Sequence, residues 1–394
     1  MKSFFILQKL VLLSFLLLCQ PNIYAAEKQE SLRHVSSEDC EKCHDEIYEQ
    51  WKGSMHAQST ALEDPIHGTF YKAVIGDPTK EGVKKGGKYP VCLQCHSPAA
   101  AKDLKTKLDA KLAYKEGVNC IACHTMTKFK GTVKPDGGLR LGMKAYEFSD
   151  TMLQGPRGIT EKDHKKWGVS VASNPGLLKT SDACMGCHDQ RPNANKVPLC
   201  ATGDEIAKAG GSTTCQTCHM PVIEGEANHA MMGGHDPATV GRGVVITVDT
   251  EKAGKVIKTK VKVRNLLPHN FPTGAPFRNF YVKVTAYDKS GAKVWNSTES
   301  HPIKDDQLAM MMYKLGDKGQ PAPPPKATMV LGDSRLKPNE TRILSYEIPA
   351  RNVVKIIAVG YYDLLLPPIK KKFGKNIPDD LKKAQKVAQA IVKL

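Results

Sequence analysis

Ten of the twelve cysteines in this chain fall into five Cys-x-x-Cys-His motifs. Two thiols with this spacing on a short helical turn can form thioethers to the two vinyl groups of one porphyrin, and the next residue brings an imidazole to the iron. Zinc sites and disulfides also use Cys-x-x-Cys pairs, but neither explains a histidine after every pair. The spacing therefore predicts five haem c groups, each with one iron. The predicted attaching thiols and proximal ligands are Cys40, Cys43 and His44, then Cys92, Cys95 and His96, then Cys120, Cys123 and His124, then Cys184, Cys187 and His188, and finally Cys215, Cys218 and His219.

Each haem iron has a second axial position that another side chain can fill. The chain has 13 histidines, so the eight outside the motifs are enough in number to give every iron two imidazoles. Met55, Met126 and Met220 are alternatives, and a methionine ligand would raise the potential of its haem. The eight histidines are His34, His56, His67, His164, His229, His235, His269 and His301.

The chain begins with the features of a secretory signal. Lys2 and Lys9 flank a start that runs into the apolar stretch Leu10–Leu18, and two alanines follow at Ala25 and Ala26. This pattern predicts cleavage near those alanines, which would remove residues 1–25. An uncleaved anchor is the alternative, but the apolar stretch is short for a membrane span. We therefore expect an exported protein, in the periplasm or at the cell surface of a bacterium.

The net charge of +17 raises the question of a nucleic-acid partner. The lysines are scattered, however, and no stripe of aromatic and basic residues accompanies them, so we expect no nucleic-acid binding. Haem propionates give a simpler account, because a ferric haem with two ionised propionates carries about −1 and a ferrous one about −2. Five haems would offset much of the excess lysine.

The pattern of the sequence changes near Gly241. Residues 27–240 hold all five motifs in a stretch rich in Gly, Pro and Lys, with short helical patches and few long apolar runs. Such a segment cannot bury a large core by itself. We therefore predict a pentahaem domain over residues 27–240, mostly helical and irregular, with the porphyrins as its core.

Residues 241–367 alternate between apolar and polar side chains, as half-buried antiparallel strands do. In Ile257–Val263 the even positions are all Lys. Several strands at such spacing predict an all-β domain, a sandwich of immunoglobulin-like type. The predicted strands are 244–249, 257–263, 280–287, 341–348 and 353–361.

Residues 368–394 form a basic tail. From Asp379 onward, Leu381, Ala384, Val387, Ile391 and Leu394 recur at helical spacing, and an aspartate stands at the start as a cap. We expect a short amphipathic C-terminal helix that docks on the sandwich. Contact of this tail with a membrane or a partner is the alternative.

Beyond the five motifs, the chain resembles the multihaem c-type cytochromes of the cytochrome c-552/4-like kind over most of its mature length. A weaker likeness is Pro268-His269-Asn-Phe-Pro272-Thr-Gly274, where Pro268 replaces the usual glycine of a turn seen after such haem domains. The stronger signatures are Trp51-Lys-Gly-Ser54-Met-His56-Ala57 after the first motif, Gly117-Val-Asn before the third, His164 upstream of the fourth, and Met220-Pro221 with His229 and Gly233-Gly-His235 after the fifth.

The resemblance implies distal ligands. It favours His56, His164, His229 and His235 as axial ligands, and it leaves His269 open between a ligand and a hydrogen-bonded turn residue. For His34, His67 and His301 we expect surface roles. Cys200 lies outside every motif, and we expect an ordinary buried thiol there rather than a distal thiolate.

Two functions are consistent with these features. The first is an electron carrier with most irons bound by two histidines, whose partners are other cytochromes or a membrane quinol oxidoreductase, with self-association also possible. The second is a haem enzyme that acts on a small nitrogen or sulfur compound at one open iron. Related multihaem reductases often mark the catalytic iron with Lys in place of His, and all five motifs here end in His. This favours the carrier.

Overall fold

The computed structural model describes residues 31–159, 170–189 and 191–394. The predicted leader, residues 1–25, and His164 lie outside the described residues. Within the described ranges, no helix combines the length and the apolar character that crossing a bilayer requires.

Short helices make up most of the first part of the chain, and none described there is longer than the ten residues of Pro65–Val74. Frequent Gly and Pro residues end them early. The helices are α1 (Ser37–Glu41), α2 (Asp45–Lys52), α3 (Pro65–Val74), α4 (Leu93–His96), α5 (Pro98–Lys102), α6 (Leu112–Lys115), α7 (Cys120–His124), α8 (Pro175–Leu178), α9 (Asp182–His188), α10 (Thr202–Lys208), α11 (Cys215–His219) and α12 (Pro237–Arg242), with 3₁₀ turns at Leu32–His34 and Gly142–Ala145.

In the described residues of this part, eight short strands connect the helices in two-stranded pairs. Each pair is antiparallel except β3 with β4, which is parallel. The strands are β1 (Met126–Phe129), β2 (Tyr146–Phe148), β3 (Leu153–Gly155), β4 (Val171–Ser173), β5 (Arg191–Pro192), β6 (Pro198–Cys200), β7 (Val222–Ile223) and β8 (Glu226–Ala227). The helical and irregular character predicted for this part is confirmed.

After residue 243 the chain is mostly antiparallel sheet. The strands are β9 (Val244–Ala253), β10 (Val256–Asn265), β11 (Asn279–Tyr287), β12 (Lys293–Asn296), β13 (Met310–Asp317), β14 (Gln320–Pro321), β15 (Met329–Asp333), β16 (Thr341–Pro349), β17 (Lys355–Asp363) and β18 (Gln385–Lys393). A three-stranded sheet has the order β16-β10-β9, and a larger sheet has the order β14-β13-β11-β17-β18, with β12 beside β11 and β15 beside β13. Short helices lie at Pro302–Asp305 (α13), Pro367–Phe373 (α14) and Asp379–Lys382 (α15), with 3₁₀ turns at Gln307–Ala309 and Gly374–Asn376.

The alternating pattern correctly predicted five of these strands, β9, β10, β11, β16 and β17. In β10, Ile257, Val261 and Val263 are buried while the lysines between them are exposed. Both sheets contribute to one core, with Phe280 and Val282 of β11 facing the apolar side chains of β10. The prediction of a β-rich region with antiparallel sheets is therefore confirmed.

The prediction of a C-terminal amphipathic helix is wrong. Only Asp379–Lys382 is helical, and Gln385–Lys393 forms β18, which pairs antiparallel with β17 from Lys355↔Lys393 onward. The edge of β17 offers a full row of backbone partners, and the β-branched Val387, Ile391 and Val392 suit a strand. Tertiary pairing therefore overrides the helical spacing of the apolar residues.

The two parts of the chain pack against each other. Ile66 of α3 and Val240 of α12 belong to the same apolar core as the sheets, and the Phe70 ring stacks on Phe277 with ring centres 5.1 Å apart. Residues 32–394 accordingly form one compact unit.

Candidate functional site

The five motifs adopt closely similar local structures. Four of them lie on the one-turn or two-turn helices α4, α7, α9 and α11, and α7 is capped by Asn119, whose side chain accepts a hydrogen bond from the amide of Ala122. In the first motif the amide of His44 donates to the carbonyl of Cys40 at 3.0 Å, which gives the same turn. Both thiols and the imidazole of each motif are therefore positioned by one turn of backbone, as thioether attachment requires.

The loop that carries His56 is fixed to the segment before the third motif. The indole of Trp51 donates to the carbonyl of Val118 at 2.8 Å, and the amide of Val118 donates to the carbonyl of His56 at 2.9 Å. Gly117 has a φ of +70°, and a Cβ there would lie 2.4 Å from the oxygen of His56. Only glycine fits this conformation and this approach. The Trp-x-x-Ser-x-His and Gly-Val-Asn signatures are thus two sides of one contact.

Hydrogen bonds set the tautomer of several histidines. A ring nitrogen that faces a carbonyl oxygen must carry the proton and donate it, which leaves Nε2 with a free lone pair for a metal. His124 donates in this way to Gln154 at 2.8 Å and His229 to Ala227 at 2.7 Å. The same bond from Nδ1 to a main-chain oxygen is made by His67 and His96 to Ser59, by His219 to Met232 and by His269 to Asn270.

Two pairs of imidazoles are spaced for a shared iron. Two imidazoles bound to one metal through bonds of about 2 Å hold their ring centres roughly 6 Å apart. The ring centres of His56 and His188 are 6.1 Å apart, and those of His124 and His229 are 6.3 Å apart. Burial among protein atoms lowers the pKa of His188 to about 4. Both pairs fit a haem iron.

His67 is a candidate that the sequence did not single out. Its ring centre lies 4.0 Å from that of His96, and both rings donate to the same Ser59 carbonyl. The distance is shorter than the iron-bridged spacing, so an iron between them requires the rings to separate. His67 is also partly buried on α3 rather than placed on the surface, contrary to our expectation. In the sequence, the only indication of this role was that His67 follows Asp64-Pro65, a pair that starts a helix.

Two other histidines have Nε2 engaged or protonated. Nε2 of His34 lies 2.5 Å from Oδ2 of Asp103, in an ion pair. Nδ1 of His301 accepts a hydrogen bond from the amide of Ile303 at 3.2 Å, which places the proton of a neutral ring on Nε2. Neither arrangement suits an axial ligand, and both side chains are half-buried rather than placed on the surface as we expected.

His269 and His235 differ in how closely they associate with one motif. His269 is within electrostatic range of His219 in the fifth motif, and burial lowers its pKa. His235 is within range of Arg278, which also acts on His188, and of Asp64, which also acts on His96. These interactions bring His269 toward the fifth motif and assign His235 to no single motif.

Burial keeps most of these imidazoles neutral at pH 7. It lowers the pKa of His56, His67 and His235 to about 4 and that of His96 to about 3. Only the neutral ring has the lone pair that binds iron, so burial prepares these side chains for ligation.

Thiols of different motifs lie beside one another, which the sequence could not show. The side chains of Cys40 and Cys120 lie next to each other, and so do those of Cys184 and Cys215. Cys95 and Cys187 form a third such pair. The first motif therefore adjoins the third, and the fourth adjoins both the second and the fifth.

Two further features complete this order. Cys123 of the third motif is within electrostatic range of Cys184 and Cys187, which connects the third motif to the fourth. Cys43 and Cys218 are exposed, whereas the other motif cysteines are partly buried. The first and fifth motifs thus contain the two most exposed of the ten motif cysteines.

Residues outside the motifs have plainer surroundings. The partly buried thiol of Cys200 has its pKa raised by burial, as expected of an ordinary buried thiol. Met126 is 2% exposed and packs in a small apolar cluster with Tyr146 and Leu177, so it is not available to an iron.

Comparison with known proteins gives a close relative. A family model described as cytochrome c554 and c-prime matches residues 39–125. The crystal structure of a penta-haem cytochrome c552 from Thermochromatium tepidum is 48% identical, with a TM-score of 0.88, and the alignment covers 93% of this chain and 100% of that one. No curated protein matches the chain.

Two further solved structures align far less well. A superoxide reductase is 12% identical over 38% of this chain and 86% of its own, with a TM-score of 0.19. A CARDB domain from Pyrococcus furiosus, in complex with di-metal ions, is 10% identical over 38% of this chain and 84% of its own, with a TM-score of 0.17. Likenesses this weak carry no argument about function.

The penta-haem cytochrome c552 from Thermochromatium tepidum is aligned along its whole length. This chain also has the five motifs, the helical turns that present them, and imidazole pairs with the spacing of a shared iron. The cofactors are five haem c groups, which supply reversible one-electron chemistry when bound. The chain belongs to the family of penta-haem c-type cytochromes.

Proposed function

We propose that this protein is an exported electron relay, in the periplasm or at the cell surface, in which most irons are closed on both faces by histidine. The observation that carries this proposal is the spacing of His56 from His188 and of His124 from His229, at 6.1 and 6.3 Å. An iron held by two imidazoles passes electrons but offers no position to a small molecule.

These two distances assign His56 and His229 as distal ligands, and the other distal ligands are assigned by proximity and by resemblance. The ten motif cysteines attach the porphyrins and the five motif histidines are the proximal ligands. His56 closes the iron of the fourth motif and His229 closes that of the third. His269 serves the fifth motif, and His67 or His235 serves the second. His164 stays a candidate for the first motif.

The adjacency of the thiols supports a route for electrons. Motifs one, three, four and five follow one another in space, and the second adjoins the fourth. The exposure of Cys43 and Cys218 supports the first and fifth motifs as the two ends of this route. Other cytochromes or a membrane quinol oxidoreductase would meet the protein at these ends.

The β region fits a supporting role. Two antiparallel sheets around one core are consistent with an immunoglobulin-like sandwich that begins near Gly241. Ile66, Val240 and Phe70 link it to the haem-bearing part. In our proposal it fixes the position of α3, which carries His67.

Single substitutions of the distal histidines test the ligand assignment. His56→Ala and His229→Ala should each retain five haems by intact mass and convert about one haem to high spin in the electron paramagnetic resonance spectrum. His301→Ala is the matched control, because its Nδ1 already accepts from Ile303. Unchanged low-spin spectra in both variants would show that neither histidine binds iron.

The enzymatic alternative is tested separately. The reduced protein should transfer electrons rapidly to other cytochromes and show negligible turnover of nitrite, hydroxylamine or sulfur oxyanions. Sustained turnover of one of these compounds would select an enzyme with one open iron.

A further inference from the structure

One buried carboxylate anchors a turn of the β region to the haem-bearing part of the chain. The turn at residues 269–273 follows β10. Oε2 of Glu205 in α10 accepts hydrogen bonds from the amide of Asn270 at 3.2 Å and from the hydroxyl of Thr273 at 2.6 Å. The Thr273 hydroxyl also lies 2.9 Å from that of Thr202, at the start of α10. Two side chains of α10 therefore fix this turn in place.

The carboxylate of Glu205 is buried and has partners on both oxygens. Its Oε1 accepts from Nη1 of Arg335 at 2.7 Å, and the side chains of Glu205 and Arg335 are only 8% and 12% exposed. Arg335 also donates to both carboxylate oxygens of Asp333, at 2.9 and 2.8 Å. A buried charge needs such partners because desolvation penalises it. Hydrogen bonds to a charged acceptor are also stronger than neutral ones, so Glu205 holds the turn firmly.

The same contacts fix the backbone of His269 on both sides. Nδ2 of Asn265 donates to the carbonyl of His269 at 2.8 Å, and Glu205 binds the amide of the next residue. Nδ1 of the His269 ring donates to the carbonyl of Asn270 at 2.9 Å, which leaves Nε2 with a free lone pair. The folded chain therefore sets both the position and the tautomer of this imidazole.

The turn also adjoins the segment that leads into the fifth motif. Gly211 lies four residues before Cys215, and a Cβ at Gly211 would be 3.6 Å from the Cβ of Pro268, the residue before His269. This contact links His269 to the fifth motif by packing, beside its electrostatic interaction with His219.

We propose that Glu205 is a positioning residue that holds His269 of the β region in place as the distal ligand of the haem attached at the fifth motif. This inference rests on the assignment of His269 proposed above and adds the group that fixes it. Without the carboxylate, the Asn270 amide and the Thr273 hydroxyl lose their acceptor, and Arg335 keeps only Asp333. The turn is then free to move, and the iron loses its second imidazole.

Electron paramagnetic resonance of the oxidised holoprotein tests this role through the spin state of one iron. Glu205→Ala should retain five haems by intact mass and convert about one haem from low to high spin. Glu205→Gln should keep most of the low-spin signal, because its side-chain oxygen can still accept from Asn270 and Thr273. Asp306→Ala is the matched control. It removes a half-buried carboxylate that accepts from the Tyr346 hydroxyl at 2.7 Å, and it should leave the spectrum unchanged.

His269→Ala separates failure of this inference from failure of the ligand assignment. Conversion of about one haem in His269→Ala, with an unchanged spectrum in Glu205→Ala, would overturn the role of Glu205 alone. An unchanged spectrum in His269→Ala would overturn the assignment of His269 and this inference with it. If Glu205→Ala does not mature, Thr273→Val decides, because it removes only one donor to the carboxylate. That variant should show a high-spin fraction smaller than that of His269→Ala, and a spectrum without any would contradict the proposal.

Discussion

Residues 244–393 and the haem-bearing residues before them fill their interiors differently. In the sheets, Val261, Phe280, Ile348 and Ile356 belong to one continuous apolar core and are almost wholly buried. In the described residues before 240, two small separate clusters centre on Leu93 and on Tyr146, and the motif cysteines and histidines are mostly partly buried between them. The sheet region therefore fills its core with its own side chains, whereas the haem-bearing part needs the porphyrins to fill its interior.

The largest expected effect comes from withholding haem. The full chain produced without haem attachment should keep slow amide exchange in β10, β11 and β17 and lose it in the haem-bearing part, because only the sheets bury enough apolar surface alone. Hydrogen exchange with mass spectrometry measures this directly, with the holoprotein as control. Equal protection of both parts in the haem-free chain would remove the distinction.

A smaller effect is expected from a buried ion pair in the sheets. The Asp363 side chain is 1% exposed and pairs with Lys370 of α14, while burial raises the pKa of the carboxyl group. Lys370→Met leaves this charge unpaired and should lower the free energy of unfolding by about 3–5 kcal/mol. Lys371→Met, which changes an exposed neighbour, should have little effect on thermal unfolding.

The pH dependence of the stability of Lys370→Met sharpens this test. A carboxyl group whose folded pKa is raised favours folding when protonated, and the benefit is lost as pH rises through the folded pKa. The cost of Lys370→Met should therefore shrink as the pH falls and Asp363 becomes protonated. A cost that stays constant from pH 7 to pH 4 would mean that lost packing, not the unpaired charge, causes the destabilisation.

The sequence predicted the parts of the structure that depend on local pattern. The five motifs, the helical turns around them and the alternating strands such as β10 follow from spacing and periodicity alone. It failed at β18, where the edge of β17 decided between strand and helix. It also missed His67, because the Ser59 carbonyl that its ring shares with His96 is brought there by the folded chain. Which motifs adjoin is likewise a property of the folded chain.

Carbon monoxide binding to the fully reduced holoprotein tests the central claim most directly. Carbon monoxide binds ferrous haem only where one axial position is open, and histidine on both faces blocks it. An electron relay with its irons closed should therefore show negligible change in its absorption spectrum under carbon monoxide, while His56→Ala should bind about one equivalent. Stoichiometric binding at a haem of the unmodified protein would contradict the account and identify an open iron.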